Sequence, residues 1–341
     1  MTVKETHMRR EAGEAASAVA RLLEREQGTI GRVAELIAQA AGPITSAARG
    51  SSDHAVTAFK YACEILLGRP VASVGPSVAS VYQARLRLDG GVHLTVSQSG
   101  ASPDIVALQA AAARGGATTI AVVNVADSPL ARGADIVVPL HVGEEKSVAA
   151  TKSYIASCAA LFAIVARAAQ DEGLLAGLSQ LPSALEALPP GIEDELADAI
   201  SRAGSLYVTG RGPAFGIALE AALKTKETAG VHAEAFSVAE LMHGPLQLVK
   251  GGFPVVAFVS DDASRQSTLA AIDRLRDLGG RVTPISTLDL AGGLRIPSTG
   301  HAFTDGLVAV LAWYRAVELA ARLKGLDPDR PANLRKVTET I

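Results

Sequence analysis

Two stretches of the chain hold residues whose types and spacing could do chemistry. In the first, Ser97-Gln98-Ser99-Gly100-Ala101-Ser102, three hydroxyls, an amide and a glycine fall together. Hydroxyls and backbone N–H groups gathered in a turn hold an anion such as a phosphate. No lysine lies inside the turn and no Walker spacing surrounds it, so a nucleoside triphosphate is not implied. The second stretch runs from Lys224 to Pro245 and crowds together Lys224, Lys226, Glu227, His232, Glu234, Glu240 and His243. Carboxylate, imidazole and amine are the groups that move protons near neutral pH. His243 also stands directly before Gly244-Pro245, which fix the backbone around a titratable ring. The bland alternatives are an ordinary strand-to-helix turn for the first stretch and a solvated charged helix for the second. The segment from Asp327 to Lys336, Asp-Pro-Asp-Arg-Pro-Ala-Asn-Leu-Arg-Lys, taken alone is a proline-rich surface extension.

These residues need elements to position them. Val92, Leu94 and Val96 predict a strand that ends in the serine turn. Ser102, Pro103 and Asp104 then open a helix, with an N-cap hydroxyl, a proline in the first turn and an acid near the positive helix end. Upstream, the apolar stripes predict a helix over 8–26 and another over 30–41, closed by Gly42-Pro43. Strands are expected at 44–48, 71–74, 118–123 and 136–139, and a long helix at 147–170. Strands alternating with helices predict an α/β fold with a doubly wound, mainly parallel sheet.

The second half repeats the first. Leu206-Tyr-Val-Thr-Gly-Arg-Gly-Pro213 parallels Ile44-Thr-Ser-Ala-Ala-Arg-Gly-Ser51, and Gly251–Ser264 parallels Gly90–Ser102. Gly279-Gly280 answers Gly115-Gly116, and Leu294–Pro297 answers Ile136–Pro139. Two tandem copies of one unit are expected: N-terminal helices over 1–34, copy one over 35–175, a partly helical linker over 176–197, copy two over 198–331, and a tail over 332–341. The copies differ at the turn, where Ser97-Gln98-Ser99 becomes Ser260-Asp261-Asp262. Carboxylates repel a phosphate, so copy one is expected to keep the anion site and copy two the proton-transfer groups.

Composition narrows the classes. The 341 residues carry a net charge of −3, with both signs scattered, which disfavours a nucleic-acid surface. The two cysteines, Cys63 and Cys158, lie far apart in apolar surroundings and build neither a zinc site nor a disulfide framework. The most apolar segment, 154–166, is shorter than the roughly 20 residues a span needs. A cytoplasmic enzyme with no metal, no organic cofactor and no membrane or nucleic-acid partner is expected.

Four motifs in order now carry a resemblance: Arg-Gly-Ser-Ser at 49–52, Ser-Gln-Ser-Gly-x-Ser at 97–102, Lys-x-Lys-Glu…Glu-Leu-x-His-Gly-Pro from 224 to 245, and Arg-Pro-x-Asn-Leu-x-Lys at 330–336. Over nearly its whole length the chain resembles the isomerase half of glucosamine-6-phosphate synthase and its stand-alone relatives, proteins with two sugar isomerase (SIS) domains. The resemblance implies that Ser97, Gln98, Ser99 and Ser102 hold the sugar phosphate, with Ser51, Ser52 and Lys224 also among the substrate-binding groups. Val148 and Ala149 would touch the sugar through their backbone. Glu227 would move a proton between C1 and C2. His243, reaching over from a second subunit of a homodimer, would assist ring opening. Lys336 would sit at the sugar carbonyl and can form a Schiff base.

Two departures shape the expected reaction. The synthase carries an N-terminal glutaminase domain, whereas this sequence begins Met-Thr-Val and reaches copy one at Ile44. The synthase also has a cysteine where Arg49 stands here. Amination from glutamine is therefore not expected; the resemblance favours deamination of glucosamine 6-phosphate to fructose 6-phosphate and ammonia. A deglycase acting on fructosamine phosphates would use the same groups. A sugar-phosphate sensor would need no Glu227, His243 or Lys336, and such regulators carry basic helical domains that the N-terminal helices here do not resemble. A nicotinamide dehydrogenase is disfavoured, because Gly210-Arg-Gly-Pro-Ala-Phe-Gly216 has glycine spacing one residue too long for the dinucleotide fingerprint.

Overall fold

The structure, a computed structural model, describes residues 5–336. In chain order the helices and strands are α1 (His7–Gly13), α2 (Ala15–Arg25), α3 (Gln27–Gln39), β1 (Ile44–Ala47), α4 (Ser51–Ala62), β2 (Val71–Ser73), α5 (Ser77–Ser80), β3 (Val92–Ser97), α6 (Pro103–Arg114) and β4 (Thr118–Val123). They continue as α7 (Pro129–Arg132), β5 (Ile136–Pro139), α8 (Lys152–Ala169), α9 (Glu172–Glu186), α10 (Asp194–Arg202), β6 (Ser205–Gly210), α11 (Phe215–Ala229) and β7 (His232–Ser237). The remainder are α12 (Val238–Leu241), β8 (Pro254–Phe258), α13 (Arg265–Asp277), β9 (Arg281–Ser286), β10 (Leu294–Arg295) and α14 (Ala302–Leu323). These elements form two compact units.

The N-terminal unit comprises 17–145, 152–175 and 335–336. Its sheet has the order β2-β1-β3-β4-β5, with every pair parallel. Strand order reverses between β1 and β3, whose registers place Ala47 beside Thr95. In such a sheet ligands bind outside the carboxyl ends of the strands at this switch point, which is where the serine turn follows β3. Because helices cover both faces, β3 is buried from Val92 to Val96 and shows no alternation. His93 lies inside, its Nδ1 2.9 Å from Thr45 Oγ1, and burial lowers its pKa to about 4. Helix α8 is long and apolar enough to cross a membrane, but it is buried in the unit from Lys152 to Ala166.

The C-terminal unit comprises 5–16, 146–151 and 176–334. Its sheet, β10-β9-β8-β6-β7, repeats the same order and parallel direction. The internal repeat therefore holds at the level of topology. Helix α14 is its core helix, with Trp313 and Tyr314 wholly buried. The indole N–H of Trp313 donates to the Ala221 carbonyl at 2.9 Å, seating α11 against α14. At α1, the Asp329 carboxylate accepts the N–H groups of His7 and Met8, both at 2.8 Å. That contact ties the segment after α14 to the N-terminus of the described chain.

Two local expectations need correction. The helix expected over 8–26 is two helices, because α1 stops at Gly13, the residue type least suited to a helix interior after proline. The segment 176–197, expected to be a partly helical linker, holds the end of α9, the start of α10 and the non-helical turn between them. The helix expected from Ser147 begins only at Lys152. Upstream of it, Glu11 accepts the N–H groups of Lys146 and Ser147 at 2.6 and 3.1 Å, and the Asp329 carbonyl accepts that of Val148 at 3.2 Å. Those tertiary bonds hold the backbone out of the helix.

Candidate active site

In the N-terminal unit the turn after β3 is built for an anion. Gly100 has φ +61°, and a Cβ there would lie 2.1 Å from Ser128 Oγ, so only glycine closes the turn. Ser97 Oγ accepts the Gly100 N–H at 3.0 Å and Ser99 Oγ accepts that of Ala101 at 3.4 Å. A hydroxyl that accepts from the backbone still has its O–H to donate outward. Ser102 caps α6 by position but makes no side-chain capping bond. Ser51 and Ser52, partly buried, open α4 directly after β1, the strand beside β3. Arg49, which stands where the synthase has a cysteine, joins the two turns: its Nη2 and Nε donate to Asp104 Oδ2 at 2.7 and 3.0 Å. Asp104 is buried and Arg49 is half exposed, so the pair fixes loop geometry more than it supplies a free cation.

Gln98 and Ser99 line a pocket of about 800 Å³ with Asn124, His141, Glu145 and Lys336. Glu145 is a residue that the sequence motifs missed. Its carboxylate is buried, accepts the N–H and O–H of Ser153 at 3.2 and 2.7 Å, and accepts from Lys336 Nζ at 3.2 Å. It thus caps α8 and anchors the lysine amine in one act. The available signal was a carboxylate ahead of an apolar helix, where the helix end favours negative charge. The chemistry is that of an amine beside a proton acceptor, facing a turn of anion donors.

In the C-terminal unit, α11 carries the second set. Lys224 is wholly buried and pairs with two carboxylates, Glu220 at 3.5 Å and Glu227 in closer contact. Glu220 is also wholly buried and accepts the Tyr314 O–H at 2.9 Å. Glu227 alone of the three reaches solvent, at 24% side-chain exposure. It lines a pocket of about 550 Å³ with Lys226 and Thr228 on one side and the 325–334 segment on the other, including Arg330, Asn333 and Leu334. The Lys-x-Lys-Glu and Arg-Pro-x-Asn-Leu motifs therefore meet in space. Lys224 is closed off from the pocket, so in this conformation it holds Glu227 rather than offering itself to a phosphate.

The other expected residues are dispersed. Val148 and Ala149 lie in the pinned segment before α8, and the Val148 N–H is already given to Asp329. His243 is exposed in the turn after α12, with Gly244 following. Ser51, Ser52, Ser97, Gln98, Ser99, Ser102 and Lys336 belong to the N-terminal unit; Val148, Ala149, Lys224, Glu227 and His243 belong to the C-terminal one. In the turn after β8, Asp261 pairs with Arg265 at 2.6 Å and Asp262 accepts the Ser264 N–H at 2.8 Å. The acids of copy two thus serve the start of α13. Both cysteines are buried, and burial raises the Cys63 thiol far above its ordinary value. Among the described residues no group of three or more His, Cys, Asp or Glu side chains could hold a metal ion.

Comparison with known proteins gives consistent matches. The SIS domain family matches residues 36–167 and 199–317. A crystal structure from Silicibacter pomeroyi DSS-3, proposed to be a phosphosugar isomerase, is 43% identical, with a TM-score of 0.87 over 95% of this chain and 100% of that one. The C-terminal domain of glucosamine-fructose-6-phosphate aminotransferase from Francisella tularensis shares the fold at 24% identity, with a TM-score of 0.84 over 97% and 99%. Glutamine–fructose-6-phosphate aminotransferase of Methanothermobacter thermautotrophicus is 34% identical over 84% of this chain and 50% of its own length. The chain spans about half the length of such curated relatives.

Proposed function

The chain belongs to the SIS domain family, and on that premise we propose that it is a phosphosugar isomerase that deaminates glucosamine 6-phosphate. The observation that carries this is the pocket in which a lysine amine, a buried carboxylate and the Gln98-Ser99 turn converge. Its volume suits a phosphorylated hexose. The serine turn holds the phosphate, which fixes the far end of the open-chain sugar. The motif resemblance assigns Glu227 the proton shift from C2 to C1, which leaves the amino group on the ketose carbon as an imine. Water adds to that carbon and ammonia leaves; where Lys336 attacks instead, ammonia leaves first and water then releases the ketose from the lysine. Atoms balance as glucosamine 6-phosphate plus water giving fructose 6-phosphate plus ammonia.

We further propose a cytoplasmic homodimer in which the exposed His243 serves the partner subunit. The test mixes metal-free enzyme with glucosamine 6-phosphate and follows ammonia and ketose phosphate. Release of both is expected. Cleavage of fructoselysine 6-phosphate in the absence of either product would assign the deglycase reaction instead, for which a pocket of about 800 Å³ has room.

A further inference from the structure

We infer that His141 is a substrate-contacting residue of the phosphosugar pocket, accepting a hydrogen bond at Nδ1 from a donor group on the sugar; this rests on the phosphosugar reading above. His141 lines the same pocket as Gln98, Ser99, Glu145 and Lys336, and no sequence motif singled it out. Its backbone is the first indication. With φ +53°, it is one of three non-glycine residues with positive φ among those described. That conformation is unfavourable for an L residue with a bulky side chain and persists where surrounding structure imposes it.

Here the surroundings do impose it. The Arg21 guanidinium donates twice to the His141 carbonyl, from Nε at 3.2 Å and Nη2 at 3.1 Å. Asn124 clamps the next two residues, its Oδ1 accepting the Val142 N–H at 3.1 Å and its Nδ2 donating to the Gly143 carbonyl at 2.8 Å. The ring is fixed as firmly as the backbone. Its Nε2 lies 2.7 Å from Glu26 Oε1. A carboxylate accepts, so Nε2 carries the hydrogen, and in the neutral ring Nδ1 is left with a lone pair. A buttressing carboxylate of this kind sets the tautomer and orientation of a histidine that works through its other nitrogen.

The chemistry selects the ligand group. A lone pair accepts from a hydroxyl or an ammonium, and an amino sugar phosphate carries both on its sugar, away from the phosphate group that the serine turn would hold. His141 therefore recognises the sugar, while the serine turn recognises the phosphate.

The test compares the wild-type chain with His141→Asn and His141→Gly, two residues that tolerate positive φ. Calorimetry measures binding of inorganic phosphate and of glucosamine 6-phosphate to each. Inorganic phosphate should bind all three chains equally. Glucosamine 6-phosphate should bind both variants roughly ten- to a hundredfold more weakly, the loss expected when a hydrogen bond is left unmade. In the wild type, the ¹⁵N resonance of His141 Nδ1 should shift on adding glucosamine 6-phosphate and stay in place with inorganic phosphate. Equal binding of glucosamine 6-phosphate by the wild type and both variants would overturn the contact while leaving the phosphosugar pocket intact. Failure of the wild type to bind any sugar phosphate would overturn both.

Discussion

Replacing Lys224 by methionine tests the buried network that holds Glu227. The ammonium is wholly buried between Glu220 and Glu227. Methionine matches its length but removes the charge. Glu220, equally buried, then loses the Lys224 ammonium and keeps the hydrogen bond from the Tyr314 hydroxyl. Removing one partner of a buried ion pair costs about 3–5 kcal/mol, because the remaining charge stays desolvated. At roughly 2–4 °C per kcal/mol for a unit of this size, the melting temperature should fall by about 6–20 °C. Glu220→Gln combined with Lys224→Met removes both charges and should recover most of that loss. Differential scanning calorimetry of the wild type, the two single variants and the double variant closes the cycle. The network does not hold Glu227 in the way described if Lys224→Met melts with the wild type, or if the double variant is less stable than the sum of the singles.

Three further outcomes are expected. Ser99→Ala should weaken sugar-phosphate binding by roughly ten- to a hundredfold, since a charge-assisted hydrogen bond contributes about 1.5–3 kcal/mol; calorimetry with an unchanged dissociation constant would place the phosphate elsewhere. His93 titrates near 4 in the folded chain against 6.5 when unfolded, so the unfolded state binds the extra proton between those values. Stability from this group is complete above pH 6.5 and falls by about 3 kcal/mol on acidification to pH 4; urea unfolding of His93→Leu should show a shallower pH dependence over that window. Finally, co-expression of Glu227→Gln and His243→Ala chains should restore activity through mixed dimers if His243 serves the partner subunit, whereas full activity in a species that light scattering shows to be monomeric would exclude sharing.

The fold was largely legible because its signals are local. The strands at 118–123 and 136–139 have the bounds that their β-branched runs suggest, and the matched Gly-Gly and Arg-Gly pairs exposed the repeat that both sheets share. The serine turn was legible because Gly100 and Ser97–Ser99 are neighbours in sequence. What escaped depends on contacts between residues far apart in the chain. Glu145 meets Lys336 across nearly two hundred residues, and no periodicity in either segment announces that. His141 looks like any residue after a strand until Arg21, Glu26 and Asn124 are seen around it. The compact units likewise ignore sequence order, with 5–16 and 146–151 packed alongside 176–334, because the Asp329 and Glu11 carboxylates capture backbone N–H groups from distant segments.

The proton transfer proposed for Glu227 can be followed without product release. Incubating the enzyme with glucosamine 6-phosphate in deuterium oxide and recording proton NMR reports exchange at C1 and C2. The wild type should incorporate deuterium, while Glu227→Gln, which keeps the shape and loses the basicity, should bind the substrate and exchange it slower by on the order of 10² or more. Exchange at the wild-type rate in Glu227→Gln, with the variant folded and substrate bound, would contradict the assignment.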